Sequence, residues 1–216
     1  MKDSSRREVR LGDLLTTSPF TGARQGVDGG AAGIPFVSTS LVTSGDGAIV
    51  RAPAERTARA SGRRLAARGD ILLVTRGVER RSTVPASVVE VDEPLAFAES
   101  LVLLRVDPRE ADPHYLRLYL TSAAGATALS AIATGTTISY LRPEALVGLT
   151  LMLPPIDEQV RAAAKVQALS AGLARLDATV EAYRALVAAT TEGMVAGVLR
   201  VRPDGGGRHR QGGGRR

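Results

Sequence analysis

The chain has 216 residues, 44% of them hydrophobic, with a formal net charge of +6 and no cysteine. That length and apolar content suffice for one ordinary domain with a real core plus an appendage, and the lack of cysteine excludes disulfides, thiolate metal sites and cysteine nucleophiles together. His114 and His209 lie far apart, so zinc chemistry is not expected; no membrane-length apolar run or signal-peptide core follows the charged start MKDSSRREVR, which gives a cytoplasmic expectation.

Charge is unevenly spread along the chain. All of the 28 basic residues except Lys2 and Lys165 are arginine, a bias that by itself speaks of coding composition rather than function. Residues 51–81, however, hold nine arginines against Glu55, Asp70 and Glu79, whereas residues 82–199 carry eight basic and thirteen acidic side chains. A field segregated in this way favours a polyanion on one region and leaves another for a protein partner. A solvated arginine-rich face is the plain alternative.

In chain order, residues 1–8 read as a flexible basic tail. VRLGDLL at 9–15 reads as a short strand or turn, and GARQGVDGGAAG at 22–33 as loop without the Gly-Lys-Ser/Thr ending of a phosphate-cradling loop. IPFVSTSLV at 34–42, GAIVRA at 47–52, DILLVTR at 70–76, STVPASVVEV at 82–91 and SLVLLRVD at 100–107 are β-branched or leucine-rich runs between Gly, Pro or charged breaks, and read as strands. After Pro113, residues 114–133 have the apolar pattern of a buried helix, with a break expected near Gly125. TGTTISYL at 134–141 reads as a loop, RPEALVGL at 142–149 as a helical turn and LTLML at 149–153 as a last strand. The order specifies an α+β domain over residues 9–155, without a βαβ repeat.

Beyond Pro155 the pattern becomes regular. Ala162, Val166, Leu169, Leu173, Leu176, Val180, Tyr183, Val187, Thr190 and Met194 alternate in spacing between four and three, a heptad seam rather than the wider stripe of a helix packed on a domain. Proline is tolerated in the first helical turn, and Asp157 and Glu158 complement the positive helix end there. The reading is one helix over 156–200, about 66 Å long to residue 199 at about 1.5 Å per residue, and too long to bury on a domain of this size. Its distal half needs a partner; a hairpin broken at Gly172 is the competing arrangement. Residues 201–216 read as a disordered Gly/Arg-rich tail.

Three stretches together resemble the DNA-specificity subunit of type I restriction-modification systems. LAARGDILLVTRG at 65–77 is similar to that family's leucine, Gly-Asp, apolar run and Arg-Gly pattern, and TGTTISYLRPEALVGLTLMLPPIDEQ at 134–159 to its Gly-Thr loop, helical turn, strand and Pro-Pro-x-x-Glu-Gln junction. VRLGDLL at 9–15 is similar to its opening. Members usually contain two target-recognition domains, each followed by a long helix, the two helices packing antiparallel as a spacer. The resemblance therefore implies a half-subunit with one recognition domain and one dimerisation helix. It implies double-stranded DNA, an adenine methyltransferase subunit and either a second copy or another half-subunit as partners, with a restriction and translocation subunit as a further one. It also implies a non-catalytic protein, and with the composition gives the expectation of no cofactor, no metal and no membrane partner. A homodimer would read an inverted repeat. The rival reading is a coiled-coil interaction or nucleoid-type protein that binds phosphate without reading sequence.

A recognition domain places hydrogen-bonding side chains at base edges and fixes its register on phosphates. Arg76, Arg80, Arg81 and Ser82 follow the strand DILLVT in an exposed loop and are the first candidates for base contact. Thr136, Thr137, Ser139 and Tyr140 form the second group, and Arg24 with Gln25 the third. Arg56, Arg59, Arg63 and Arg64, in a segment poor in apolar residues, are the candidate phosphate contacts. The seam Val166, Leu169, Leu173, Leu176, Val180, Tyr183, Val187 and Met194 is the candidate partner surface, its direction of pairing left open. Asp70, beside Gly69 and ahead of an apolar strand, is read as a turn cap rather than a catalytic carboxylate.

Overall fold

The structure is a computed structural model in which residues 6–23, 33–57, 64–77, 82–135 and 139–199 are described. The chain divides into two compact units, Met1–Gln167 and Ala168–Arg216. The first holds β1 (Arg7–Arg10), a 3-10 turn (Leu11–Leu14), β2 (Phe20–Thr21), β3 (Ile34–Val37), α1 (Thr39–Ser44), β4 (Ala48–Ile49), β5 (Arg56–Thr57), β6 (Ile71–Val74), β7 (Ala86–Val89), β8 (Ala96–Phe97) and β9 (Leu101–Leu104). It continues through α2 (Pro113–Thr121), α3 (Ala123–Ile132), α4 (Pro143–Val147) and β10 (Thr150–Leu153) into α5 (Ile156–Val195). The architecture is α+β, as expected, with a long helix after the mixed domain.

A five-stranded sheet in the order β2-β9-β6-β7-β4 forms the centre. β6 pairs antiparallel with β7 and β9, and all four residues of each of these strands are buried. Side chains alternate across a strand, so both faces of the sheet must be covered. Ile71, Leu73, Val88, Val102 and Leu104 face one core with Leu116 and Leu120 of α2, Leu129 of α3, Leu146 of α4 and Leu151 and Leu153 of β10. Leu72, Val74, Val89, Leu101 and Leu103 face a second core with Val37 of β3, Val42 of α1 and Phe97 of β8. β3, β5 and β8 form a separate three-stranded sheet in the order β5-β3-β8.

Asp70 anchors the start of β6. Its carboxylate, 2% exposed, accepts from Arg105 Nε at 2.9 Å and Nη2 at 2.7 Å and from the Ala67 N–H at 2.8 Å, while Arg105 Nη2 also donates to the Leu65 carbonyl at 3.1 Å. The carboxylate holds the Arg105 guanidinium pKa above its ordinary value, against the opposing effect of burial. Asp70 thus closes the turn expected of it and ties β6 to the end of β9, with Gly69 beside it at φ +86°. On the opposite side, Arg117 of α2 donates through Nε to the Ala86 carbonyl of β7 at 3.1 Å, and burial lowers its pKa. Its guanidinium lies where a Cβ on Gly47 would be, and Gly47 has φ +86°, a conformation that favours glycine.

The ends of the domain meet in a two-stranded antiparallel sheet, with Arg7 opposite Leu153 and Arg10 opposite Thr150. β1 therefore begins inside the expected 1–8 tail. At the junction, Gln159 is fully buried; its Nε2 donates to the Pro154 carbonyl at 2.8 Å and its Oε1 accepts the Asp112 N–H at 3.1 Å. Asp112 in turn caps α2 by accepting from the Tyr115 N–H at 2.8 Å. The first turns of α5 are thereby stitched to the start of α2.

Three expectations change in detail. The run at 34–42 is a strand only to Val37; its hydroxyl residues then form α1, in which Thr43 and Ser44 donate to the Ser40 carbonyl at 3.0 and 2.7 Å and so favour local backbone bonding over a ladder. The helix at 114–133 does break, and the exact point is Ser122, three residues before Gly125: Ser122 accepts the Gly125 N–H at 3.1 Å and caps α3. Gly125 is there because a Cβ would lie 2.1 Å from the Tyr119 carbonyl oxygen. The long helix ends at Val195 rather than near residue 200, with Gly197 at φ +72° and hydrogen bonds from Val198 N–H to Gly193 C=O at 2.9 Å and from Gly197 N–H to Met194 C=O at 3.1 Å. That is a glycine-terminated helix stop.

Replacing Asp70 by Ala removes two charge-assisted hydrogen bonds and leaves the Ala67 N–H unpaired. It should cost about 2 kcal/mol of stability, read as a lower urea midpoint at unchanged slope; an unmoved midpoint would contradict the anchoring role.

Candidate nucleic-acid interface

Two of the loops expected to contact DNA are joined by backbone hydrogen bonds. Thr75, fully buried after β6, donates its N–H and its hydroxyl to the Ser100 carbonyl, both at 2.9 Å. Arg76 then forms an antiparallel bridge with Tyr140. The Gly77 N–H donates to the Ser139 carbonyl and the Leu141 N–H to the Thr75 carbonyl, each at 2.9 Å. Tyr140 closes its own loop with Thr134 through reciprocal bonds of 2.8 and 3.0 Å. Gly77 has φ +70°, the left-handed conformation that places its N–H toward Ser139.

Within this frame the candidates differ. The Arg76 side chain is 58% exposed and Ser82 is exposed, so both are open to solvent. Tyr140 is half-buried beside Arg76. Ser139 is only 5% exposed; its burial withdraws the hydroxyl expected to read DNA, and its carbonyl instead holds Gly77 in place. Arg64 is exposed, but Arg56 is half-buried, donates through Nη1 to the Gly33 carbonyl at 2.6 Å and lies 3.8 Å from Glu93, an internal tie rather than a free phosphate ligand. Arg24, Gln25, Arg59, Arg63, Arg80, Arg81, Thr136 and Thr137 lie outside the described residues, as does the segment 201–216.

Folding also redistributes the charge that the sequence segregates. Arg68 donates to Asp92 at 2.6 Å and to Glu90 at 3.0 Å, and Arg76 faces Glu99 at 3.7 Å. The hydrogen bond from Arg68 lowers the Asp92 pKa, and the same bond raises that of Arg68. Acidic residues of the 90–99 segment thus answer arginines of the 51–77 segment across the fold. Sequence reasoning missed Glu99 and the clamping role of Thr75, although counting the paired strands outward from Val74 and Leu101 would have placed both. Among the described residues no cluster of three metal-ligating side chains occurs, and no helix is long and apolar enough to cross a membrane.

In the second unit, α5 exposes its seam: Leu169, Leu173, Leu176, Tyr183 and Val187 are each 60% or more exposed, and Val180 and Met194 are also open. Val166, just inside the first unit, is 38% exposed. A continuous helix replaces the hairpin alternative, since Gly172 is helical.

No protein-family model matches the chain, and no curated protein matches it in sequence. Solved structures do. The S subunit of a type I restriction-modification system from M. genitalium matches at a TM-score of 0.59 and 17% identity over 89% of this chain, and the HsdS subunit from Thermoanaerobacter tengcongensis at 0.53 and 22% over 79%. The fold is that of a type I specificity subunit. A chain from a structure describing assembly and conformational transition of the type I R-M system also matches, at a TM-score of 0.57 and 22% identity over 83% of this chain. The chain spans less than half of each of these proteins, 46%, 39% and 42% of their lengths. The specificity-subunit fold therefore appears here with one mixed domain and one long helix.

Gly77→Ala should cost about 1 kcal/mol through left-handed strain and loosen the joined loops, read as faster hydrogen exchange at the Leu141 amide. Unchanged exchange there would show that the loops do not depend on this turn.

Proposed function

We propose that the chain is a sequence-specific DNA-recognition subunit of a type I-like restriction-modification complex. In this reading it performs no chemistry and directs a partner adenine methyltransferase, with or without a nuclease, to its target. The observation that carries the reading is the likeness to specificity subunits over 79% to 89% of the chain, domain and helix together. Arg76 and Ser82, on the loop clamped to the Tyr140 loop, supply base contacts; exposed arginines such as Arg64 supply phosphate contacts.

The seam of α5 supports a second helix of the same kind as partner. With Val166, Leu173, Val180, Val187 and Met194 at heptad position a and Leu169, Leu176, Tyr183 and Thr190 at d, an antiparallel copy pairs Leu169 with Met194, Leu173 with Thr190, Leu176 with Val187 and Val180 with Tyr183, while Val166 lies beyond the paired stretch, opposite Gly197. The same register sets Asp177 beside Arg184 of the second copy, twice by symmetry. A parallel pair sets Gly172 against Asp177 and Thr179 against Arg184, with no charge complementarity. The sequence is thus self-complementary in one direction, which favours a second copy over an unrelated half-subunit. Two-fold symmetry then predicts an inverted-repeat site.

Asp177→Arg should weaken dimerisation roughly tenfold by sedimentation, since two attractive flanking pairs become repulsive, and adding Arg184→Asp should restore it. Equal dissociation constants for all three proteins would rule out this register. The function itself is tested by isolating the tagged chain with its bound partners and selecting from a random-sequence duplex library. The expected result is a bipartite inverted-repeat motif; enrichment of no motif would leave only non-specific phosphate binding.

A further inference from the structure

The register of β6 and β9 pairs Ile71 with Leu104 and Val74 with Leu101. Continued in both directions, it sets Asp70 against Arg105 and, through the hydrogen bond from Thr75 to Ser100, Arg76 against Glu99. On the face carrying Leu72, Val74, Leu101 and Leu103, the ladder therefore begins and ends in an ion pair, with the signs reversed. The two pairs are built differently. Asp70 is 2% exposed and bound by two guanidinium nitrogens at 2.7 and 2.9 Å, whereas the Arg76 Nη2 to Glu99 Oε1 distance is 3.7 Å with side chains 58% and 42% exposed. An open pair at that spacing contributes little to folding. Yet it stands where β9 and the two clamped loops converge, on backbone fixed by Thr75, Gly77 and Leu141.

We propose that Glu99 is a positioning residue that presents Arg76 to a base edge. The inference rests on the DNA-recognition reading above. A guanidinium has five N–H donors in a fixed fork; a carboxylate oxygen 3.7 Å from Nη2 holds the group by charge attraction and leaves N–H donors for guanine O6 and N7. Holding the side chain in advance lowers the entropy lost when it binds. The negative charge also disfavours a nearby phosphate, so Arg76 is steered from backbone attraction toward the groove. A protein selected for phosphate binding alone would gain from losing Glu99.

The test uses the full chain isolated with its partners, as wild type, Arg76→Gln and Glu99→Gln, each selected from the same random duplex library at one salt concentration. Arg76→Gln should lose preference at one base pair by about tenfold. Glu99→Gln should lose preference at that same base pair by about threefold or more, bind unrelated duplex more tightly and keep the wild-type urea midpoint. A Glu99→Gln motif as sharp as the wild-type one, or blurred at a different position, overturns this inference and leaves the recognition reading intact. A wild-type protein that selects no motif overturns both.

Discussion

Double-sided burial of the central strands is the constraint from which the rest of the first unit follows. β6, β7 and β9 carry apolar side chains on both faces, and a sheet of that kind must be covered twice. The helices α2, α3 and α4 with the β1–β10 pair supply one cover, and α1 with β3 and β8 the other. Each layer adds its own polar fastening: Asp70 to Arg105 across the strands, Arg117 to the Ala86 carbonyl, Gln159 between the Pro154 carbonyl and the Asp112 N–H. A rigid ladder in turn gives the loops beyond it a fixed starting point. Thr75 and Ser100 extend the ladder by one more pair, and the Arg76 and Tyr140 segments are built outward from there.

The second unit follows a different logic. A helix of 40 residues, about 60 Å at about 1.5 Å per residue, buries only Gln159 and Ala163, both within its first turns. Isolated helices draw most of their stability from a packed face, so leucines and valines exposed at heptad spacing represent unspent hydrophobic stabilisation. Glu181 and Arg184 pair along the helix surface, but such contacts are weak. The proposed pairing of the seam with a second copy would give that stabilisation a destination.

Much of this was legible in the residues. The uninterrupted apolar runs DILLVT and SLVLLRV read directly as central strands, the heptad seam read as an exposed helix, and Gly69-Asp70 read as a structural turn. What failed did so for local reasons. Ser38 to Ser44 looked like a continued strand because hydroxyl residues share β-propensity, while their side chains satisfied a helix turn instead. The helix break expected near Gly125 lies at Ser122, whose cap decides its exact point. β2, β5 and β8, of two residues each, leave no periodic signal at all. Charge was the least transferable reading. Arginines counted as a basic segment face carboxylates from residues 90–99 once folded, and Glu99, silent in the sequence, becomes the partner of the leading base-reading candidate.

Mapping methylated adenine across genomic DNA, in cells carrying this gene together with the proposed partner methyltransferase and in cells from which this gene alone is deleted, is the most direct test of the proposed role. A bipartite motif methylated on both strands in the first population and unmethylated in the second is the expected result. Methylation that persists unchanged after deletion, or that never follows a motif, would contradict it.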